Sequence, residues 1–334
     1  MTRSLREGVD ALRGRHIALV GDFILDEYIY GDTVRVSREA PVPVVLRKTT
    51  EHRLGGAANT VRSLVALGAR VSICGTVGKD DAGARVRSLL EDLPGVEARL
   101  VERDGSTTLK TRVLAGAFGT AKQQILRLDA EPSGGLSSVA EAALIQQVAD
   151  LSTQADGLIV SDYGLGDISE KVRGALTDVF TSVPTFVDSR FKLNAFQGAR
   201  AVTPNLPEAE ALVGFSVQTE ADVQRAGTKL LDVLGVEAVL LTQGRGGMSL
   251  FRPGLPVEHV DITGEEEVTD VTGAGDTVMA TFALGAVSEI GLVNAMRLSN
   301  VAAGVVVNKL GASTCSSDEL FQAGQACGLE LQAW

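Results

Sequence analysis

A doubly wound α/β fold, with a mostly parallel sheet flanked by helices and a small β lid, is what this sequence predicts. Three observations point to it. Short apolar runs at 17–20, 157–161, 185–188, 201–203 and 238–242 have the length of buried strands, and turns or helical patterns follow them in the βαβ rhythm of a parallel sheet. Two stretches, about 28–53 and 97–129, contain runs that alternate polar with apolar residues, as strands outside a main core do. Residues 277–290 are apolar on nearly every side, so they form a helix that must be buried. A single domain over 12–330, with the two β stretches inserted as a lid, accommodates all three.

Composition bounds the function. The 334 residues are 45% hydrophobic and 22% charged, an ordinary globular profile with enough apolar side chains for a large core. A net charge of −11 argues against nucleic acid or an anionic membrane surface as partner. Cys74, Cys315 and Cys327 are scattered, as are the three histidines, which speaks against a zinc site or a disulfide framework. The expectation is a soluble, cytoplasmic protein with no apolar leader and no run of 18 apolar residues.

Taken in order, the first strand ends at Gly21, and Asp22 and Asp26 follow in what reads as a loop. Ligands bind beyond the carboxyl ends of such strands, so these carboxylates either accept hydrogen bonds from sugar hydroxyls or sit in a solvated loop. After the first β excursion, Gly55 and Gly56 open a helix that carries Asn59 in its first turn and stops at Gly68. The glycines allow a ligand to approach the backbone, or serve helix packing alone. A strand at 70–75 and a helix at 80–93 come next. Gly78 and Lys79 do not make a P-loop, because the pattern needs a glycine five residues earlier and a Ser or Thr after the lysine. Lys110 and Arg112 share one face of a lid strand. They are candidates for a ligand's phosphate, although exposed edge strands also carry such charges.

Beyond a helix near 136–151, the spacing of Asn205 and Glu208 fits a helix cap and equally a site near metal-bound phosphate. The glycine-rich turn at 243–247 is not a dinucleotide loop, which removes the main support for hydride transfer. A hairpin at 248–262 leads to Val268 and then to Gly273, Ala274 and Gly275. There a buried helix begins with bare amides that favour an anion. Asp276, in its first turn, either caps the helix or accepts a proton from a hydroxyl attacking a phosphate. Helices at 294–308 and 318–327 close the chain.

The run DVTGAGD at 270–276 and the run GGAAN at 55–59 together resemble the two signature motifs of the ribokinase (pfkB) family of sugar kinases. NLPE at 205–208 is similar to that family's NxxE element, and Thr242, Gln243 and Gly244 to its nucleotide loop. The likeness covers nearly the whole chain. It implies a ribokinase-like fold and transfer of the γ-phosphoryl group of ATP, with Mg²⁺, to a sugar hydroxyl. By position it implies that Asp276 is the base and that the amides of Gly273, Ala274 and Gly275 receive the transferring group. Asp26, Gly55, Gly56 and Asn59 would hold the sugar. Asn205 and Glu208 would lie near Mg²⁺ and the ATP phosphates, with Glu208 acting indirectly on the metal. Thr242, Gly244, Gly247 and Asn300 would frame the nucleotide. Asp270 and Thr272 belong to a loop that binds K⁺ in many relatives, and lids of this family often pair into homodimers.

Within the family, GDFILD at 21–26, RVSREAPVP at 35–43, QQILRLD at 123–129, SDY at 161–163 and KLGAST at 309–314 resemble the heptose-7-phosphate kinases. That likeness implies the anomeric hydroxyl of D-glycero-D-manno-heptose 7-phosphate as acceptor. Gly164–Gly166, Asp188–Arg190 and the extra residues 115–122 depart from their pattern. Another sugar or sugar phosphate therefore stays open as acceptor, and so does a binding regulator that has lost turnover.

Overall fold

The computed structural model describes residues 4–117, 119–263 and 270–333, so Phe118 of the lid and Val268 of the glycine stretch lie outside the described residues. Helix α1 (Leu5–Asp10) precedes strand β1 (His16–Gly21). The chain then makes its first excursion, β2 (Phe23–Val36) and β3 (Pro43–Gly56), and returns through α2 (Ala57–Ala66), β4 (Arg70–Gly78), α3 (Asp81–Glu91) and β5 (Val96–Arg103). A second excursion supplies β6 (Thr108–Gly116) and β7 (Gln123–Ala130). Then follow α4 (Ser138–Ser152), β8 (Gly157–Asp162), α5 (Glu170–Asp178), β9 (Thr185–Ser189), β10 (Ala201–Val202), α6 (Leu206–Val213), α7 (Glu220–Leu234) and β11 (Ala238–Thr242). The hairpin β12 (Met248–Phe251) and β13 (Glu258–Val260) precedes α8 (Ala274–Val287), α9 (Leu292–Val307) and α10 (Ser317–Ala326).

Nine strands form one sheet in the order β13-β12-β11-β10-β9-β8-β1-β4-β5, parallel except for the hairpin at one edge. Because successive side chains point to opposite faces, the parallel strands are apolar throughout and feed two cores. Ile17 and Leu19 of β1 pack with α2, α8, α9 and α10, while Ala18 and Val20 pack with α4 and α5, whose side of the sheet α6 and α7 also cover. From β1 the chain winds one way to β4 and β5, and later the other way from β8 to β11. The strand order reverses between β1 and β8, which is where open α/β sheets form a ligand crevice.

Four strands, β3-β2-β6-β7, make the lid as a separate sheet. Its boundaries differ from the expected ones. Residues 96–103 pair with β4 at the edge of the main sheet, so only the part from Thr108 onward belongs to the lid. Both early lid strands run 14 residues, and the antiparallel register from Phe23 and Gly56 outward places Asp26, Gly55 and Gly56 on strands, not in a loop or a helical turn. Helix α7 went unanticipated. Its signal was the Thr219/Asp222 capping box.

Candidate active site

Asp276 lies in the first turn of α8. Helix α8 is buried from Asp276 to Gly285, but Gly273 and Ala274 at its start are only partly buried. The helix end is therefore open, not buried as its apolar sequence implied: Gly275 is exposed, and a Cβ built on it would meet nothing within 4 Å. Gly273 caps the helix at φ 79°, a left-handed conformation that favours glycine. The Ala274 amide donates to the Val271 carbonyl at 3.2 Å, whereas the amides of Gly275 and Asp276 have no partner among the described residues.

Asp276 itself is 6% exposed. Its Oδ1 accepts from the Tyr163 hydroxyl at 2.8 Å and from Thr60 Oγ1 at 3.2 Å. Burial pushes the carboxyl above the usual range; the hydrogen bonds from Tyr163, Asn59 and Thr60 oppose the rise, and the Asp26 charge adds to it. A Cβ on Gly273 would lie 3.9 Å from Oδ2, so that oxygen faces the helix mouth. A carboxylate beside bare amides can hold an anion at the amides and take a proton from a hydroxyl approaching it.

The lid faces this carboxylate with its charged side. Strand register sets Asp26 beside Lys110 and Lys110 beside Asp129, and likewise Tyr28 beside Arg112 and Arg112 beside Arg127. Arg112 donates to Asp26 Oδ1 at 2.5 Å, and Arg127 is paired with Asp129. Lys110 has no counter-ion among the described residues, and partial burial, together with the Arg127 charge, lowers its pKa. A Cβ on Gly55 would fall 2.3 Å from Asp26 Oδ2, so the glycine leaves that carboxylate its present place. Gly56, at φ 59°, turns β3 into α2, whose first turn presents Asn59. Asn59 Oδ1 is buried without a partner, a free acceptor at the site.

Asp22 does different work from Asp26. Its carboxylate accepts the backbone amides of Tyr163 at 2.8 Å, Leu165 at 3.2 Å and Asp167 at 3.2 Å, and so ties down the loop after β8. Behind it, Asp167 accepts from the Thr76 amide at 2.6 Å, from the Thr76 hydroxyl and from Arg103 at 3.1 Å. Burial is the main cause that raises Asp22 to about 6 and Asp167 to about 7.

On the other flank, Asn205 and Glu208 form a reciprocal capping box on α6, with both hydrogen bonds at 3.0 Å. The cap uses Glu208 Oε2. Thr242 joins this loop through its amide to the Pro204 carbonyl at 2.9 Å, and the turn bearing Gly244 and Gly247 follows directly. Asn300 on α9 donates to the Asp261 carbonyl and to Thr263 Oγ1, both at 2.7 Å, which moors the segment leading toward α8. Asp270 accepts from the amides of Thr272 at 2.9 Å and Gly311 at 3.0 Å, bridging the loop before α8 to the one after α9.

Two groups escaped the reading of roles from sequence. Tyr163 lies 113 residues from the carboxylate it touches, a pairing no local pattern announces. The carboxyl of Asp188, near the end of β9, has no hydrogen bond or ion pair among the described residues, and burial, with the Glu208 and Asp276 charges nearby, raises it well above the usual range. Among the described residues no cluster of three or more His, Cys, Asp or Glu is placed to hold a metal alone.

The sheet order, the lid and the carboxylate at the mouth of a buried helix define a ribokinase-like α/β protein. The chain belongs to the pfkB family of carbohydrate kinases, whose model matches residues 15–319. It is 39% identical over 306 residues to the bifunctional protein HldE of Citrifermentans bemidjiense, covering 90% of this chain and 62% of that one. It is 37% identical over 324 residues to the HldE of Paramagnetospirillum magneticum, covering 96% and 65%. The chain thus spans less than two thirds of these relatives. Among solved structures, phosphofructokinase-2 of Escherichia coli with substrates and products matches at a TM-score of 0.78 and 20% identity, over 94% of this chain and 99% of that one. Ribokinase of Arabidopsis thaliana with ribose and ATP matches at 0.69 and 20%, over 93% and 98%. No helix among the described residues is long and apolar enough to cross a membrane.

Proposed function

We propose that the chain is an ATP-dependent sugar kinase with Asp276 as general base, and that its favoured acceptor is the anomeric hydroxyl of D-glycero-D-manno-heptose 7-phosphate. The observation that carries the reading is the buried carboxylate beside the open amide end of α8. The acceptor oxygen attacks the γ-phosphorus, the bond from that phosphorus to the β–γ bridging oxygen breaks, ADP leaves, and the hydroxyl proton passes to Asp276. Such a transfer depends on alignment and charge stabilisation more than on covalent chemistry. The amides of Gly275 and Asp276 meet the transferring group. Asp26 and Asn59 orient hydroxyls, and Lys110, with no counter-ion among the described residues, suits a phosphate on the acceptor.

The nucleotide lies along Asn205, Thr242, Gly244, Gly247 and Asn300. Magnesium would neutralise charge on its phosphates. Glu208, acting indirectly, and Asp188 would supply the hard oxygen groups that ion prefers nearby, and its ligands would come largely from water and the nucleotide. A potassium ion would sit in the Asp270–Thr272 loop. The heptose reading rests on the 39% identical HldE relative and the motif likeness. A homodimer through the lid is supported by apolar residues on the lid face away from the site, where Leu126 is 48% and Leu128 56% exposed.

The test is a phosphotransfer screen over heptose 7-phosphate, ribose, fructose and fructose phosphates, run in potassium and in sodium salt. Asp276→Asn should cut turnover by roughly 10²–10⁴-fold with ATP affinity retained, as loss of a general base does. Turnover near the parent's would overturn the base assignment. Tight sugar or nucleotide binding with no product from any acceptor would favour a regulator.

A further inference from the structure

We infer that Tyr163 is a positioning residue for Asp276: its phenol holds Oδ1 and leaves Oδ2 as the atom that takes the acceptor's proton. The inference rests on the kinase reading for the role of that proton, but the grip itself stands on geometry. Tyr163 O–H donates to Oδ1 at 2.8 Å, and Thr60 Oγ1 donates to the same oxygen at 3.2 Å. With Tyr163 and Thr60 converging on Oδ1 and Asn59 adding a third hydrogen bond to the carboxylate, its plane is set, and Oδ2 lies on the side of Gly273, the cap of α8.

The tyrosine is held as firmly as the acid. Its amide donates to Asp22 Oδ2 at 2.8 Å, and the next amide, of Gly164, donates to Asp162 Oδ1 at 3.0 Å. Asp162 is fixed in turn by Ser189 Oγ at 2.7 Å, on the neighbouring strand β9. The phenol therefore arrives at Oδ1 from a backbone with little slack. Burial and the adjacent Asp276 charge keep Tyr163 protonated far above neutrality, so it stays a donor throughout the working range. Other charges that bear on the pair are Asp26 from the lid, Asp188 at the end of β9 and Arg190 just beyond it.

A donor to the ionised carboxylate favours the charged form, so removing it must raise the pH at which Asp276 gains its proton. The experiment is carbon-13 NMR of the full chain labelled at aspartate carboxyls, with the Asp276 signal assigned by its loss in Asp276→Asn. In Tyr163→Phe the titration midpoint of Asp276 should rise by about one to two pH units, the worth of one hydrogen bond to a charged group. The acid limb of kcat/KM should move upward with it, while KM for ATP stays unchanged.

A midpoint that coincides with the parent's, or falls below it, overturns the inference. Should Tyr163→Phe fail to fold, 3-fluorotyrosine at the chain's three tyrosines strengthens the donor without removing a contact. The same midpoint should then move downward, and no movement would equally count against the inference. The NMR readout needs no turnover. A parent inactive toward every acceptor sinks the kinase reading while the titration still judges the grip. An active parent with an unmoved midpoint sinks only the role of Tyr163.

Discussion

At the scale of single residues, the site depends on close approaches that leave no room for a methyl group. Gly55 is the sharpest case. Its missing Cβ is replaced by the carboxylate of Asp26, and the atom that would be struck is the far end of a side chain and not backbone. Gly55→Ala should therefore cost little stability, under about 1 kcal/mol, because Asp26 can swing aside. The swung carboxylate no longer orients the acceptor, so KM for the sugar should rise about tenfold, equivalent to roughly 1.4 kcal/mol, with KM for ATP unaltered. Thermal unfolding and initial-rate kinetics on one preparation separate the two effects. An acceptor KM equal to the parent's would show that Asp26 does not touch the sugar. The sequence displayed both members of this contact, but it put Asp26 in a loop. Only the strand register reveals that the glycine exists for the acid.

Among elements, the lid carries the most chemistry for its size. Alternation along its strands separates two functions: Asp26, Lys110 and Arg112 line the site face, while Ile29, Val113, Leu126 and Leu128 fall on the reverse. The last two are exposed large hydrophobics on an edge strand, an arrangement that soluble chains seldom leave uncovered. A second copy of the chain packing lid against lid would cover them. Leu128→Glu should then convert a dimer to a monomer in sedimentation equilibrium, with KM for the acceptor rising as the lid loses support. A parent that sediments as a monomer at assay concentrations would rule the pairing out. The alternating pattern of the lid was legible in the sequence. Its limits were not, because β5 alternates in the same way while pairing with β4 in the main sheet. Pattern reports the period of a strand and is silent about its partner.

For the molecule as a whole, the buried acids make stability depend on pH. Asp22 and Asp167 are raised from the ordinary value of 3.8 to about 6 and about 7, so the folded chain holds protons there that the unfolded chain has already lost. Each contributes stability that is complete below about pH 4 and lost as pH climbs through the folded value. Unfolding free energy, measured in urea, should therefore carry a falling component between about pH 4 and 7. Asp167→Asn should flatten the slope in that window. A slope identical to the parent's would mean that Asp167 is ionised throughout.

The order of strands along the main sheet appears only in the assembled fold, whereas the fold class and the motif around Asp276 could be read in advance, because each depends on local periodicity and composition. The Asp22–Asp167–Arg103 network could not, since its members meet only once β1, β4, β5 and the loop after β8 have assembled. The grip on the base has the same character. Residues 60, 163 and 276 come from three distant stretches of chain, and the acid acquires its fixed orientation only when all three have docked. If Asp276 is the base, a half-made or partly melted copy keeps the acid but not its aim and should leave ATP untouched.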